Sequence, residues 1–169
     1  MYSTFFTFIQ TADDLELMQE EVLTLLNSFY ENKQTFDDAL KSKVRKKTAD
    51  AIREAAERGH DVKELLESLA AELNKLERFK ITLAIELTQL GIDKVYSYIV
   101  QQLGRRIVLE ISYDPTIVGG AVISFQGNYR DFSLSRFLDM EFEKNREEII
   151  RTLERRSGVS APSSNQKAL

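Results

Sequence analysis

Residues 103–142 read LGRRIVLEISYDPTIVGGAVISFQGNYRDFSLSRFLDMEF, and this stretch decides the fold. Ile107, Leu109 and Ile111 alternate with Val108, Glu110 and Ser112, the period of two that puts one set of side chains on a core and the other in water. The run stops at Asp114-Pro115 and Gly119-Gly120, which are turn formers: aspartate bonds to the backbone ahead of it, proline fixes φ, and glycine permits a reversal. The apolar AVISF at 121–125 then reads as a strand. Gly127-Asn128 before YRD reads as a two-residue hairpin turn, because both residues tolerate positive φ. Ser133 caps a last helix running to about Arg156, with Leu134, Phe137, Leu138, Phe142, Ile149, Ile150 and Leu153 on its apolar stripe.

Upstream, Phe79, Ile81, Leu83, Ile85 and Leu87 alternate with Lys80, Thr82, Ala84 and Glu86 as another strand. Residues 91–103 return to helical spacing and close at Gly104. Farther back, Leu15, Met18, Val22, Leu25, Leu26, Phe29, Phe36, Leu40, Val44, Ile52 and Ala55 recur mostly three or four apart, one stripe on a long helix over residues 12–58. Its rhythm up to Phe36 repeats every seven residues and suits a coiled coil or a helical hairpin. Thr11 with Asp14 caps its start, and Asp61 with Glu64 starts a second helix through Leu65, Leu66, Leu69 and Leu73. The expected class is α+β. A helical hairpin or coiled-coil-like region fills 1–78, a small four-stranded α/β domain fills 79–156, and a small, polar, disordered tail fills 157–169.

The composition removes most chemistry. Of 169 residues, 23 are basic and 27 acidic, for a net charge of −4, which speaks against nucleic acid as a partner. There is no cysteine, hence no disulfide, thiol nucleophile or cysteine-type zinc site. The single histidine, His60, sits in a Gly-His-Asp turn without a second ligand at helical spacing. No run approaches the ~18 apolar residues that cross a bilayer, and the first residues lack the pattern of a signal peptide, so a cytoplasmic location without direct membrane insertion is expected. The 114–120 loop has neither the Lys-Ser/Thr pair nor the following helix of a phosphate-binding loop. Asp139, Glu141, Glu143, Glu147 and Glu148 interleave with Arg136, Lys144, Arg146 and Arg151 as a solvated helix face. Lys41, Lys43, Arg45, Lys46 and Lys47 read the same way. No catalytic residue, cofactor or metal site is expected. Tyr2, Phe5, Phe6, Phe8 and Ile9 need cover from the chain's own core or from a partner.

The 103–142 string resembles the C-terminal domain of the delta subunit family of F-type ATP synthase, the oligomycin-sensitivity-conferring protein family. The matching positions are Gly104, Arg105 and Arg106, the strand to Tyr113, the turn Asp114, Pro115, Gly119, Gly120, then Gly127, Asp131, Ser133 and the helix from Leu134. The segment 80–89 is similar to the family's preceding extended stretch. In that family a compact helical bundle precedes this domain and grips the N-terminal helices of the catalytic head, whereas residues 12–78 look like stalk material. The resemblance implies a non-catalytic stator, or peripheral stalk, subunit. Its partners would be the elongated stalk subunit and the catalytic head, and the complex would hold it at the inner face of an energy-transducing membrane. The contact face expected from the stripe is Leu15, Met18, Val22, Leu25, Phe29 and Phe36, with Ile149 and Leu153 toward the other end. The E-type stalk subunit of V- and A-type ATPases is similar in architecture, and a free-standing coiled-coil adaptor is a further alternative.

Overall fold

Thr11 opens the main helix through a reciprocal cap. Its hydroxyl accepts from the Asp14 N–H at 3.2 Å, and the Asp14 carboxylate accepts from the Thr11 N–H at 3.1 Å. In the computed structural model, which describes residues 3–157, a short turn α1 (Ser3–Phe6) precedes this helix, α2 (Ala12–Glu31). The tail expected to be disordered lies almost wholly outside the described residues.

The single long helix expected over residues 12–58 is instead three: α2, α3 (Lys33–Ser42) and α4 (Lys46–Glu57). Two polar side chains make the breaks. Asn32 takes an extended backbone and its side-chain oxygen accepts from the Thr35 N–H at 2.9 Å, ending one helix and capping the next. At the second break Arg45 is the N-cap of α4 but offers no side-chain cap of its own. Glu21 of α2 instead pins this start of α4, accepting from the Arg45 N–H at 2.7 Å, from its guanidinium at 2.7 and 3.0 Å, and from the Thr48 hydroxyl at 2.7 Å. Replacing Asn32 with alanine is expected to lower stability by about 1 kcal/mol, measurable as a lower urea midpoint at unchanged slope.

The fourth long helix, α5 (Val62–Leu73), begins at Asp61, whose carboxylate accepts from the N–H groups of Lys63 and Glu64. Together these helices enclose one core. Leu15, Met18, Val22 and Leu25 meet Phe36, Ala39 and Leu40, then Ala49 and Ile52, then Leu65, Leu66, Leu69 and Leu73. Phe5 and Ile9 are buried in the same cluster, so the chain's own core covers that end of the aromatic N-terminus. The region is therefore a small helical bundle, not a hairpin, because breaking the stripe twice lets its apolar side chains face one another.

The α+β class and the four strands stand as expected, except that the first strand ends at Leu83 and leaves Ile85 and Leu87 outside it. The sheet runs in the order β2-β1-β3-β4, from β1 (Arg78–Leu83), β2 (Val108–Tyr113), β3 (Ala121–Phe125) and β4 (Asn128–Asp131). β1 pairs parallel with β2 and antiparallel with β3, and β3 pairs antiparallel with β4. A parallel pair needs a crossover, and α6 (Gln89–Leu103) is that crossover. Its Ile92, Val95, Ile99 and Leu103 pack with Phe79, Ile81, Leu109 and Ile123. On the alternate positions Lys80 pairs with Glu110 at 3.1 Å and Thr82 with Ser112 at 2.8 Å. The hairpin turn is Gln126-Gly127, one residue earlier than expected, since Phe125 pairs with Asn128 and Gln126 and Gly127 hold positive φ. The last helix is also divided, into α7 (Leu134–Lys144) and α8 (Arg146–Ser157), at Asn145, whose amide donates back to the Glu141 carbonyl at 2.9 Å.

Candidate functional site

The 114–120 loop is built inward from its own side chains. The Asp114 carboxylate accepts from the Thr116 hydroxyl at 2.6 Å and its N–H at 2.9 Å, and these bonds hold the carboxyl below the usual carboxylate range. Pro115 follows as the next turn residue and is exposed. The Gly119 carbonyl accepts from the Leu134 N–H at 2.8 Å, and Gly120 sits at φ +89 against the Phe132 carbonyl. The loop thereby seats the start of α7 against the start of β3. A polar hollow of about 410 Å³ beside it is lined by Asp114, Thr116, Tyr129, Asp131 and Ser133, among others. Asp131 is likewise held low, by hydrogen bonding from Ser133. Both carboxylates are satisfied by their own turns, and among the described residues no group of three or more histidine, cysteine or acidic side chains is placed to hold a metal ion.

The residues expected to face a partner divide. Leu15, Met18, Val22, Leu25 and Phe36 are buried in the bundle, where the chain itself covers them. Phe29 is partly exposed and stacks edge-on against Phe36 at 5.5 Å. Ile149 is half-buried and Leu153 is 60% exposed.

Two apolar surfaces remain open. The first is a groove of about 270 Å³ between α2 and α5, lined by Gln19, Val22, Leu23, Leu26, Ala70 and Asn74. Hydrogen bonds bracket it: Gln19 donates to Asn74 at 3.0 Å at one end, and the Tyr30 hydroxyl donates to Glu67 at 2.7 Å at the other. Gln19 and Tyr30 lie about three helical turns apart along α2 at ~1.5 Å per residue. The Glu67 contact also raises the Tyr30 phenol above its ordinary range. The second surface is α7–α8. No residue of α7 is buried, and Leu134, Phe137, Leu138, Met140 and Phe142 all lie open, as do Ile150 and Leu153 of α8. Phe132, Phe137 and Met140 line a shallow hollow there with Arg136. Leu23, Leu26 and Tyr30 were not expected as contact residues. Their own three-and-four spacing beside the core stripe was the available signal.

A profile of the family described as ATP synthase delta (OSCP) subunit matches residues 5–144. The chain belongs to the ATP synthase delta (OSCP) subunit family. The match begins within the helical bundle and so spans α2 to α5 as well as the sheet. Of the two stalk families that the sequence resembles, the match is to delta. A curated relative, ATP synthase subunit delta of Heliobacterium modesticaldum, is 30% identical over 67 residues, which are 40% of this chain and 36% of that protein. The aligned stretch thus spans about a third of the relative's length. A chain in the structure of the Polytomella F-ATP synthase in a primary rotary state is 20% identical, with a TM-score of 0.37 over 46% of this chain and 99% of that one. A likeness of that size carries no weight for the delta fold.

Proposed function

We propose that this chain is a non-catalytic stator subunit of an F-type ATP synthase, joining the elongated stalk subunit to the catalytic head during proton-driven ATP synthesis. The observation that carries this reading is the open apolar face of α7–α8. Phe137 at 58% exposure and Leu153 at 60% are among the large side chains that these two helices leave open. Left in water, such a face is unfavourable, and each large side chain covered by a partner contributes about 1.5–3 kcal/mol. In this reading α7–α8 takes a helix of the elongated stalk, and the groove between α2 and α5 takes a helix of the head. The chain's own part is mechanical: it binds at two places and holds them together against torque. Attachment to the membrane face comes through the complex, and among the described residues no helix is long and apolar enough to cross a membrane.

Affinity capture of the tagged chain from native membranes tests the assignment. The expected result is recovery with both stalk and head subunits and no ATP turnover by the isolated chain. Phe137→Asp is expected to weaken stalk recovery about ten-fold or more, while Leu23→Asp reduces head recovery, and both variants fold because both side chains are exposed. Recovery of neither subunit with the unaltered chain would overturn the reading.

A further inference from the structure

Two portions of the chain that could move independently are tied by a third. Between α5 and β1 only residues 74–77 intervene, and a second, non-covalent tie lies beside that link. Val108 belongs to β2, yet it is 0% exposed and packs in the core of the helical bundle instead of the sheet's own cluster. The neighbouring Leu109 N–H donates to the Gln10 carbonyl at 2.8 Å, and Thr11 forms a parallel bridge with Leu109 at the otherwise free edge of β2. The same N-terminal segment is anchored in the bundle by Phe5 and Ile9, each 2% exposed. Arg106, just ahead of β2, lies over the Phe6 ring at 5.0 Å, and Arg78 of β1 reaches Glu16 of α2 at 3.7 Å.

We infer that residues 5–11 are a clasp that makes the bundle and the sheet one mechanical body. The clasp has one hold in each part: aromatic and aliphatic side chains in the helical core, and main-chain pairing on the sheet edge. Pulling the sheet away from the bundle must then expose Val108 and break the Gln10 hydrogen bond together. Relative motion of two units is the ordinary expectation unless a well-packed apolar contact forbids it, and Val108 with the clasp supplies that contact. Resting on the stator reading, the consequence is that load between the α2–α5 groove and α7–α8 passes through the clasp as well as through residues 74–77.

The absence of cysteine allows clean labelling. Spin labels on Arg53→Cys in α4 and Lys94→Cys in α6, both exposed, read the distance between the two parts by pulsed electron resonance. The intact chain is expected to give one narrow distribution, and Val108→Asp to widen it about two-fold or more, because the buried carboxylate is relieved by opening the clasp. A broad or two-peaked distribution in the intact chain, or an unchanged width in a folded Val108→Asp chain, would overturn the inference. Hydrogen exchange of the intact chain gives a second measure if that variant does not fold. The Leu109 amide is expected to exchange as slowly as the amides of Met18 and Leu69, and exchange through a separate, easier opening would count against the clasp. Both measurements use the isolated chain, so failure to recover ATP synthase subunits would sink the stator assignment and leave the clasp standing.

Discussion

Gly120→Ala is expected to lower the unfolding midpoint by about 6–12 °C. Two costs combine. At φ +89 a side chain strains the backbone by about 1–2 kcal/mol. A methyl group built on Gly120 also overlaps the Phe132 carbonyl oxygen and lies 3.1 Å from Ser133 Cα, so the obstruction is backbone that no rotamer change can clear. Forcing extra volume into such a site costs about 1–3 kcal/mol. Together, after the gain of about 0.4–1 kcal/mol that any Gly→Ala change draws from a stiffer unfolded chain is subtracted, they come to about 3 kcal/mol, and at ~2–4 °C per kcal/mol for a chain of this size the shift follows. Gly127→Ala is the internal control. It shares the positive φ, at +76, but its Cβ would meet nothing within 4 Å. Its expected loss is about 1 kcal/mol, after the gain of about 0.4–1 kcal/mol from a stiffer unfolded chain is subtracted. Thermal unfolding of the two variants side by side measures the difference, and equal shifts would place the whole effect in φ. The close approach also ties the loop to function, since Phe132 and Ser133 lead into α7, and displacing them re-aims the open apolar face.

That loop is the part of the molecule most legible in the sequence. Asp, Pro and paired Gly act on their own backbone neighbours, so their spacing carries the geometry, as the Thr116 bonds to Asp114 bear out locally. The strands were legible for a similar reason: alternation is a local property, and the Ile81 and Ile111 positions pair in the register that their pattern demands. The breaks at Asn32 and before Arg45 were not. No glycine or proline stands at either one, and the second depends on Glu21, which lies 24 residues away in sequence. A stripe such as Leu15-Met18-Val22-Leu25 also has the same spacing whether it faces a partner or the chain's own α3 to α5. Only the fold reveals which, and here the chain covers it. The open groove uses Leu23, displaced around the helix from that stripe, with Val22 and Leu26 at its edge. The divided last helix turns on the Asn145 amide bonding to Glu141, a side-chain choice that helical periodicity does not encode.

Glu21→Ala is expected to cost about 2–4 kcal/mol. Breaking a buried ion pair from one side typically costs about 3–5 kcal/mol, and the figure is reduced here because the Arg45 side chain keeps 28% of its surface in water. The loss exceeds that of an ordinary ion pair because Glu21 does three things at once. It neutralises Arg45, pins the start of α4 by accepting from the Arg45 N–H, and satisfies the buried Thr48 hydroxyl. Burial alone pushes the Glu21 carboxyl upward; the hydrogen bonds from Arg45 and Thr48, with the Arg45 charge, outweigh it and hold the carboxyl below its ordinary value of 4.5. A carboxyl depressed in the folded state stabilises the fold above its unfolded value and loses that contribution as pH falls through the folded one. The advantage of the natural chain over Glu21→Gln, which keeps the shape without the charge, is therefore expected to be level from pH 6 to 8 and to shrink below about pH 4.5. Urea unfolding of both chains across that range measures it. An advantage that persists undiminished to pH 3 would mean that the carboxylate charge contributes nothing, and that the packing of α2 against the start of α4 alone sets the break that turns one amphipathic stripe into a bundle.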